Sequence, residues 1–391
     1  MVVALAVSVW LIVAATDVQA QTFTVLHSFG DDQNGSEPLS GVAMDRAGNL
    51  YGTTTFGGQD AGVAYKLSHG SGWVYSKLFT FTESSGYIPI GKVGIGPDGA
   101  LYGTATQGGA SGNGTIFSLR PQPTFCREVQ CPWELTVLHN FYYSIDGSYP
   151  NSINFDAAGN FYGATAEGGP VGAGTVYKMG WSQGSWTFTL LSDFAGTDAG
   201  ACYGGVVPDQ NGNVYGAGYG AYPGTVFEVT NTGLTQVLHH FNYNDGLDPF
   251  YGVVLDSQGN IYAQTAFGGM QGEGGTVAEL SPSGGNWTFN LLYSFPGMVN
   301  NGSIGAAALT MDSQGNLYGT TFGNGAHNWG TVFKLSPSEN GWVYTDLHDF
   351  TGGDDGGVPW SDVLIDTQGN LYGTASAGGA YHGGTVWEIT P

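Results

Sequence analysis

A seven-bladed all-β propeller of four-stranded blades is predicted by three observations. The stretch DRAGNLYGT at 45–53 returns as DSQGNLYGT at 312–320 and DTQGNLYGT at 366–374, with looser copies between. Each copy is followed by residues suited to short strands separated by turn formers. The last copy lacks one strand, and that strand stands near the start of the chain.

The composition agrees. Of 391 residues, 68 are Gly, 14% are aromatic and 10% are charged, too Gly-rich for helices and too aromatic and apolar for disorder. Glycine serves turns, while Tyr, Phe, Trp, Val and Thr serve strands. A net charge of −23 with only 8 Lys plus Arg argues against nucleic acid and against an anionic membrane surface. It suits solubility, divalent cations or basic partners.

Taken in chain order, residues 1–20 read as a secretory signal. The apolar run 2–15 is short for a membrane span, and Val18-Gln19-Ala20 is a small-residue cleavage pattern that would make Gln21 the mature start. The basic leading segment is missing, so either the true start lies upstream or the signal is atypical; an uncleaved N-terminal anchor is the alternative. Residues 21–391 are expected to form one propeller domain, secreted or periplasmic, monomeric, and not inserted in a membrane once the signal is removed.

Aligned on the turn glycine, the copies fall at Gly48, Gly99, Gly159, Gly212, Gly259, Gly315 and Gly369. The spacing of about 50 residues is that of propeller blades. The aspartate three places earlier recurs in six copies; the second has Gly96 there and Asp98 instead. After L-Y-G-T comes a Gly-rich loop, then a third strand such as GTVFKL (330–335), then a fourth such as WVYTDLHDF (342–350). A loop ending at Pro38, Pro89, Pro150, Pro249 or Pro359 leads into the next blade. The last copy ends at GTVWEITP, and FTVLHSF (23–29) supplies its fourth strand, closing the ring and removing a sheet edge. In D-x-x-G-N the carboxylate caps a turn and Gly and Asn tolerate positive φ, so the repeated motif reads as a folding device. One carboxylate per turn is too few for a calcium loop.

The D-x-x-G-N-L-Y-G-T units, the G-G pairs that follow them (Gly57-Gly58, Gly108-Gly109, Gly168-Gly169, Gly268-Gly269, Gly378-Gly379) and the G-T-V-F-K-L strands resemble the Gloeo/Verruco (GloVer) tandem-repeat proteins of bacterial envelopes. The resemblance covers nearly the whole mature chain. It implies export and a propeller-like repeat, and no activity. More briefly, D-x-x-G-N-L-Y is similar to a turn of NHL and SMP-30/gluconolactonase-type propellers, without metal ligands that carry over.

Chemistry is sparse. His27, His139, His239 and His348 share one place in the fourth strand, which suggests packing. His69, His240, His327 and His382 fall outside it, and no metal spacing accompanies them. No G-x-S-x-G elbow is present. The loops entering each blade and the Gly-rich loops must share one face, which collects Asp146, Asp198, Asp245, Asp354 and Asp355. That face also receives Phe56, Tyr222, Phe267, Phe322, Trp329 and Tyr381, with His327 and His382. Acids beside exposed rings suit sugars, through bonds to hydroxyls and stacking on C–H faces. The competing reading is that Asp-Gly is turn chemistry and the rings pack between blades.

Outside the repeat stands RPQPTFCREVQCPWE (120–134). Pro121, Pro123 and Pro132 argue against a regular strand there. Cys126 and Cys131 are spaced for a local disulfide, making the segment a stapled excursion or a partner-docking knob, and Cys202 is left as a buried small residue. The expectation is a non-catalytic binding or scaffold module for a glycan or protein ligand, with no cofactor and with calcium as the ion the acidic loops would accept. A lactonase-, lyase- or hydrolase-type enzyme with a site at the central mouth is the alternative.

Overall fold

The computed structural model describes residues 21–30, 33–122, 133–196, 199–219, 223–270, 274–297 and 307–391. The signal segment, Cys126, Cys131, Asp198 and Tyr222 lie outside them. The described strands form seven antiparallel sheets, and no helix is found among these residues. Blade 1 is Ala43–Met44, Leu50–Thr54, Val63–Ser68 and Val74–Thr80, in that order across the sheet. Blade 7 runs Leu364–Ile365, Leu371–Ala375, Thr385–Thr390 and then Thr22–Ser28. The N-terminal strand therefore completes the last blade, with Thr22 opposite Thr390 and Ser28 opposite Thr385. Blade 3 adds a fifth strand, Ser148–Pro150, paired with Phe161–Glu167.

The letters of the repeat have separate jobs. In blade 1, Asp45 Oδ1 accepts from Ala47 N at 2.9 Å and Asn49 N at 3.0 Å. Its Oδ2 accepts from Asn49 Nδ2 at 2.8 Å and the Tyr51 hydroxyl at 3.0 Å. The same set recurs at Asp156, Asp256, Asp312 and Asp366. Burial pushes the Asp45 carboxyl up, but the bonds from Asn49, Tyr51 and Ala47 outweigh it and hold the group below its ordinary value. Gly48 closes the turn at φ 81°, where any other residue would be strained.

The glycine of L-Y-G-T faces a ring. Gly52 pairs with Tyr65, Gly103 with Phe117, Gly163 with Tyr177, Gly216 with Phe227, Gly319 with Phe333 and Gly373 with Trp387. A Cβ on Gly319 would lie 2.6 Å from Phe333 Cζ, so the missing side chain is what lets the ring lie flat across the strand. Blade 5 solves the same contact with two small residues, Ala263 opposite Ala278. The threonine of L-Y-G-T joins blades. Thr53 donates to the Pro89 carbonyl at 2.9 Å, Thr104 to that of Asn151 at 2.9 Å and Thr320 to that of Ser361 at 3.0 Å.

Apolar burial sits between blades. Phe29, Val42, Leu50, Tyr65, Tyr372 and Val386 fill the seam of blades 7 and 1, and a corresponding cluster occupies each of the other seams. Outside these clusters the fourth-strand histidines stack across seams. His139 lies 3.9 Å from Phe188, His239 4.2 Å from Phe289, His348 3.7 Å from Phe23 and His27 4.4 Å from Tyr75, ring centre to ring centre. Cys202 is fully buried, and burial pushes its thiol up to about 12. One local expectation fails: the third strand of blade 2 continues to Pro121, which pairs with Trp133. Past Leu119 that strand has a partner on one side only, so the proline there breaks no ladder.

Candidate functional site: the axial cavity

The loops entering each blade and the Gly-rich loops share a face, as Ser36 bridges Phe56, Leu247 bridges Phe267 and Gly357 bridges Ala377. The predicted acids on that face are engaged in their own loops. Asp146 is buried, accepting from Tyr142 N at 2.6 Å and lying 2.8 Å from His139 Nε2. Asp245 accepts from Asn242 N at 2.6 Å and also from the Asn242 side-chain amide, with His239 Nε2 at 3.4 Å. Asp355 accepts from Thr351 N at 2.9 Å and from the Thr351 hydroxyl, with His348 Nε2 at 3.2 Å. Desolvation dominates at both His239 and His348, holding each imidazole below its ordinary value despite the facing carboxylate. Asp354 beside them is exposed.

The predicted rings are scattered around the same rim. Phe56 and Phe267 lie in the bridged loop pairs. Trp329 packs over Gly352, where a Cβ would lie 2.4 Å from the indole. Tyr381 is 70% exposed beside Gly30, and His327 and His382 are exposed, His382 with φ 63°. Among the predicted rings that are described, Phe322 is the one stacked on Trp360, at 4.8 Å and 11°.

The axis holds a cavity of about 870 Å³, lined by residues that sequence reasoning did not single out. They come from the segment that leads into each blade's first strand and, in blades 1, 2, 3 and 7, from that strand itself. A residue in the left-handed region starts this segment in several blades: Glu37 (φ 54°), Ile88 (φ 58°), Tyr149 (φ 55°), Asp248 (φ 55°) and Val358 (φ 56°). That conformation is unfavourable for β-branched side chains. Val358 is held in it by donating to the Trp329 carbonyl at 2.7 Å and accepting from Ser376 N at 3.1 Å. A buried apolar anchor ends the segment, as Val42, Val93 and Val363 do.

The residue just before the anchor lines the cavity. It is small and neutral at Gly41, Ser152, Gly252 and Ala308 but charged at Lys92 and Asp362. Lys92 Nζ lies 2.6 Å from Asp362 Oδ2. Blade 1 stands between these two blades, and a Cβ on Gly41 would lie 1.9 Å from Asp362 Oδ1. The pair thus closes across a gap that only glycine leaves. Five rings line the wall; Phe155 stands apart, and the other four, Tyr203, Phe250, Tyr251 and Trp360, come together. They form a chain with centroid distances of 6.1 Å (Tyr203–Phe250), 6.3 Å (Phe250–Tyr251) and 6.0 Å (Tyr251–Trp360). The signal that would have found this wall is variation: at these positions the copies stop agreeing.

A second cavity, on the turn face, is bounded by the turns containing Asp156, Asp209 and Asp256, whose carboxylates are used within those turns. Among the described residues, no group of three or more His, Cys, Asp or Glu side chains converges as a metal site.

The family model of the Gloeobacter/Verrucomicrobia repeat matches residues 12–221, 62–269 and 217–391. No curated protein matches. Among solved structures the chain is similar to a luciferin-regenerating enzyme, at 13% identity and a TM-score of 0.48 over 95% of each chain. It is also similar to a Xanthomonas campestris gluconolactonase, at 13% identity and a TM-score of 0.45 over 94% of this chain and 88% of that one. With the repeat model matched in overlapping register from residue 12 to residue 391, the chain belongs to the Gloeobacter/Verrucomicrobia repeat family.

Proposed function

We propose that the protein is an exported, non-catalytic binding module of the cell envelope or secretome, whose ligand is a glycan taken at the axial cavity. The observation that carries this reading is the row of four rings, Tyr203, Phe250, Tyr251 and Trp360, on the wall of the cavity. Partly exposed rings on the wall of a concave site suit the C–H faces of pyranose rings, and the polar residues elsewhere on the wall suit their hydroxyls. The acids of the rim are occupied by their own loops, which leaves the cavity as the better-built site. The acidic surface, with net charge −23, favours a neutral or cationic ligand over nucleic acid. The protein acts as a monomer, and binding requires no metal.

An enzyme of lactonase, lyase or hydrolase type is the second reading. It is favoured by Asp362, the one cavity-lining carboxylate among the described residues. Against it, that carboxylate is closed on Lys92, and among the described residues no second acid or histidine lines the cavity. A glycan array probed with the purified protein, with and without chelator, tests the proposal together with assays of lactone and glycoside cleavage. Retention of neutral glycans, unchanged by chelation and without turnover, is expected. Turnover of an array member or a lactone, or no retained glycan, overturns it.

A further inference from the structure

Lys92 is one of 8 cations in the chain, and among the described residues it is the only one lining the axial cavity. Other cations are used on the outside: Lys66, Lys178 and Lys334 lie over the rings of Tyr51, Tyr162 and Tyr318, and Arg120 pairs with Asp98. Placing a charge on the axis at a position that is elsewhere Gly, Ser or Ala departs from the repeat, and the departure is answered once, by Asp362 two blades away. The two side chains remain 29% and 21% exposed, so the pair faces the cavity instead of being sealed behind it. Lys92 N also donates to Ser152 Oγ at 3.2 Å, which fixes the segment that carries the ammonium.

We infer that the Lys92–Asp362 pair is the specificity element of the axial site, admitting neutral saccharide chains and rejecting those that carry carboxylates. The inference rests on the glycan reading above. Only one of the three ammonium hydrogens is used by Asp362, and the carboxylate retains lone pairs. Neighbouring sugar hydroxyls can accept from the ammonium and donate to the carboxylate without parting them. A uronate that takes the remaining ammonium hydrogens brings a second carboxylate against Asp362, and must either bear that repulsion or part the pair, which is discrimination by a built-in repulsive element. Gly41 is part of the device, because a side chain there would occupy the place of the Asp362 carboxylate.

The probes are hexamers of galacturonate and of mannuronate, each compared with its methyl-esterified, neutral form at about 0.5 M salt, where the Debye length falls well below 10 Å. Wild type is expected to bind an ester at least tenfold tighter than its free acid. D362N frees the ammonium and should abolish or reverse that preference; K92M should weaken ester binding and gain nothing for the acid. G41A, which displaces the Asp362 carboxylate without changing any charge, should erode the preference, and melting temperatures identify any variant that misfolds. Equal binding of ester and acid by wild type, an undiminished preference in D362N, or no binding of either form by both proteins overturns the inference. If W360A loses the esters while D362N keeps the wild-type preference, the glycan site stands and only the ion-pair role falls. If W360A binds the esters as wild type does, the site itself is wrong and the inference goes with it.

Discussion

Thr374 Oγ1 donates a 3.0 Å hydrogen bond to the backbone carbonyl of Ser40, a residue 334 positions earlier in the chain. It is the same bond that Thr53, Thr104 and Thr320 make to the next blade, so the seam between blades 7 and 1 is tied as those three seams are, while Ala164, Ala217 and Gln264 stand at this position in blades 3, 4 and 5. What distinguishes it is that one strand of blade 7 comes from the other end of the chain. Deleting residues 21–29 removes that strand together with Phe23, which stacks on His348, and the fully buried Phe29. The expected result is a loss of several kcal/mol, since burying one Phe contributes roughly 1.5–3 kcal/mol. An unchanged thermal unfolding transition would show that the strand does not close the ring.

Gly319 and Phe333 form a coupled pair. Gly319→Ala is expected to cost roughly 1–3 kcal/mol, because its Cβ would meet the buried ring at 2.6 Å. Phe333→Ala made in the Gly319→Ala background should cost less than Phe333→Ala alone, since the added methyl group fills part of the space the ring leaves. Additive effects in chemical denaturation would show that the glycine is present for another reason.

Asp346 and Asp349 repel each other on the outer strand of blade 6. Burial, then the neighbouring Asp349, push the Asp346 carboxyl up to about 6. A folded-state value above the unfolded value of 3.8 means that stability is present at low pH and lost as pH rises through 6. Asp346→Asn should therefore stabilise the fold at pH 7.5 by about 1 kcal/mol once solvent screening is allowed for, read as a higher melting temperature, and do little at pH 4. A variant no more stable than wild type at pH 7.5 would contradict this.

His27 has the opposite sign. Burial lowers its imidazole from 6.5 to about 4, so the unfolded chain takes the proton first. Stability is full above 6.5 and is lost as pH falls through 4. His27→Gln should remove on the order of 1 kcal/mol, after screening, from the stability lost between these values, read as a flatter decline in melting temperature. A decline as steep as that of wild type would place the sensitivity elsewhere.

The ring was legible because its determinants are local and repeated. D-x-x-G-N fixes a turn, the glycine of L-Y-G-T admits a ring, and the Thr22–Ser28 strand has the pattern missing from the last copy. The His-Asp contacts were half legible. The shared register of His139, His239 and His348 pointed to packing, but Asp146, Asp245 and Asp355 come from the adjoining loops, and sequence alone does not say that those loops fold back onto the strand. The axial wall was illegible for a different reason. Lys92 and Asp362 are separated by 270 residues and meet only because the ring brings blades 7 and 2 to either side of Gly41. Trp360, Phe250 and Tyr203 likewise occupy positions where the copies differ, and an argument built on what repeats passes over them.

Whether the repeated motif is scaffold and the variable axial wall is site is tested most directly by two sets of substitutions. One replaces Asp45, Asp256 and Asp366 with Ala; the other replaces Phe250 and Trp360 with Ala. Melting temperature and glycan-array binding are measured for both. The turn triple should lose roughly 1–2 kcal/mol per site, as four hydrogen bonds to each carboxylate disappear, and keep the wild-type array profile. The aromatic pair should lose the retained glycans while melting much closer to wild type than the triple does. A turn triple that keeps its stability and loses the glycans, beside an aromatic pair that keeps them, would make the repeat the site and contradict the account.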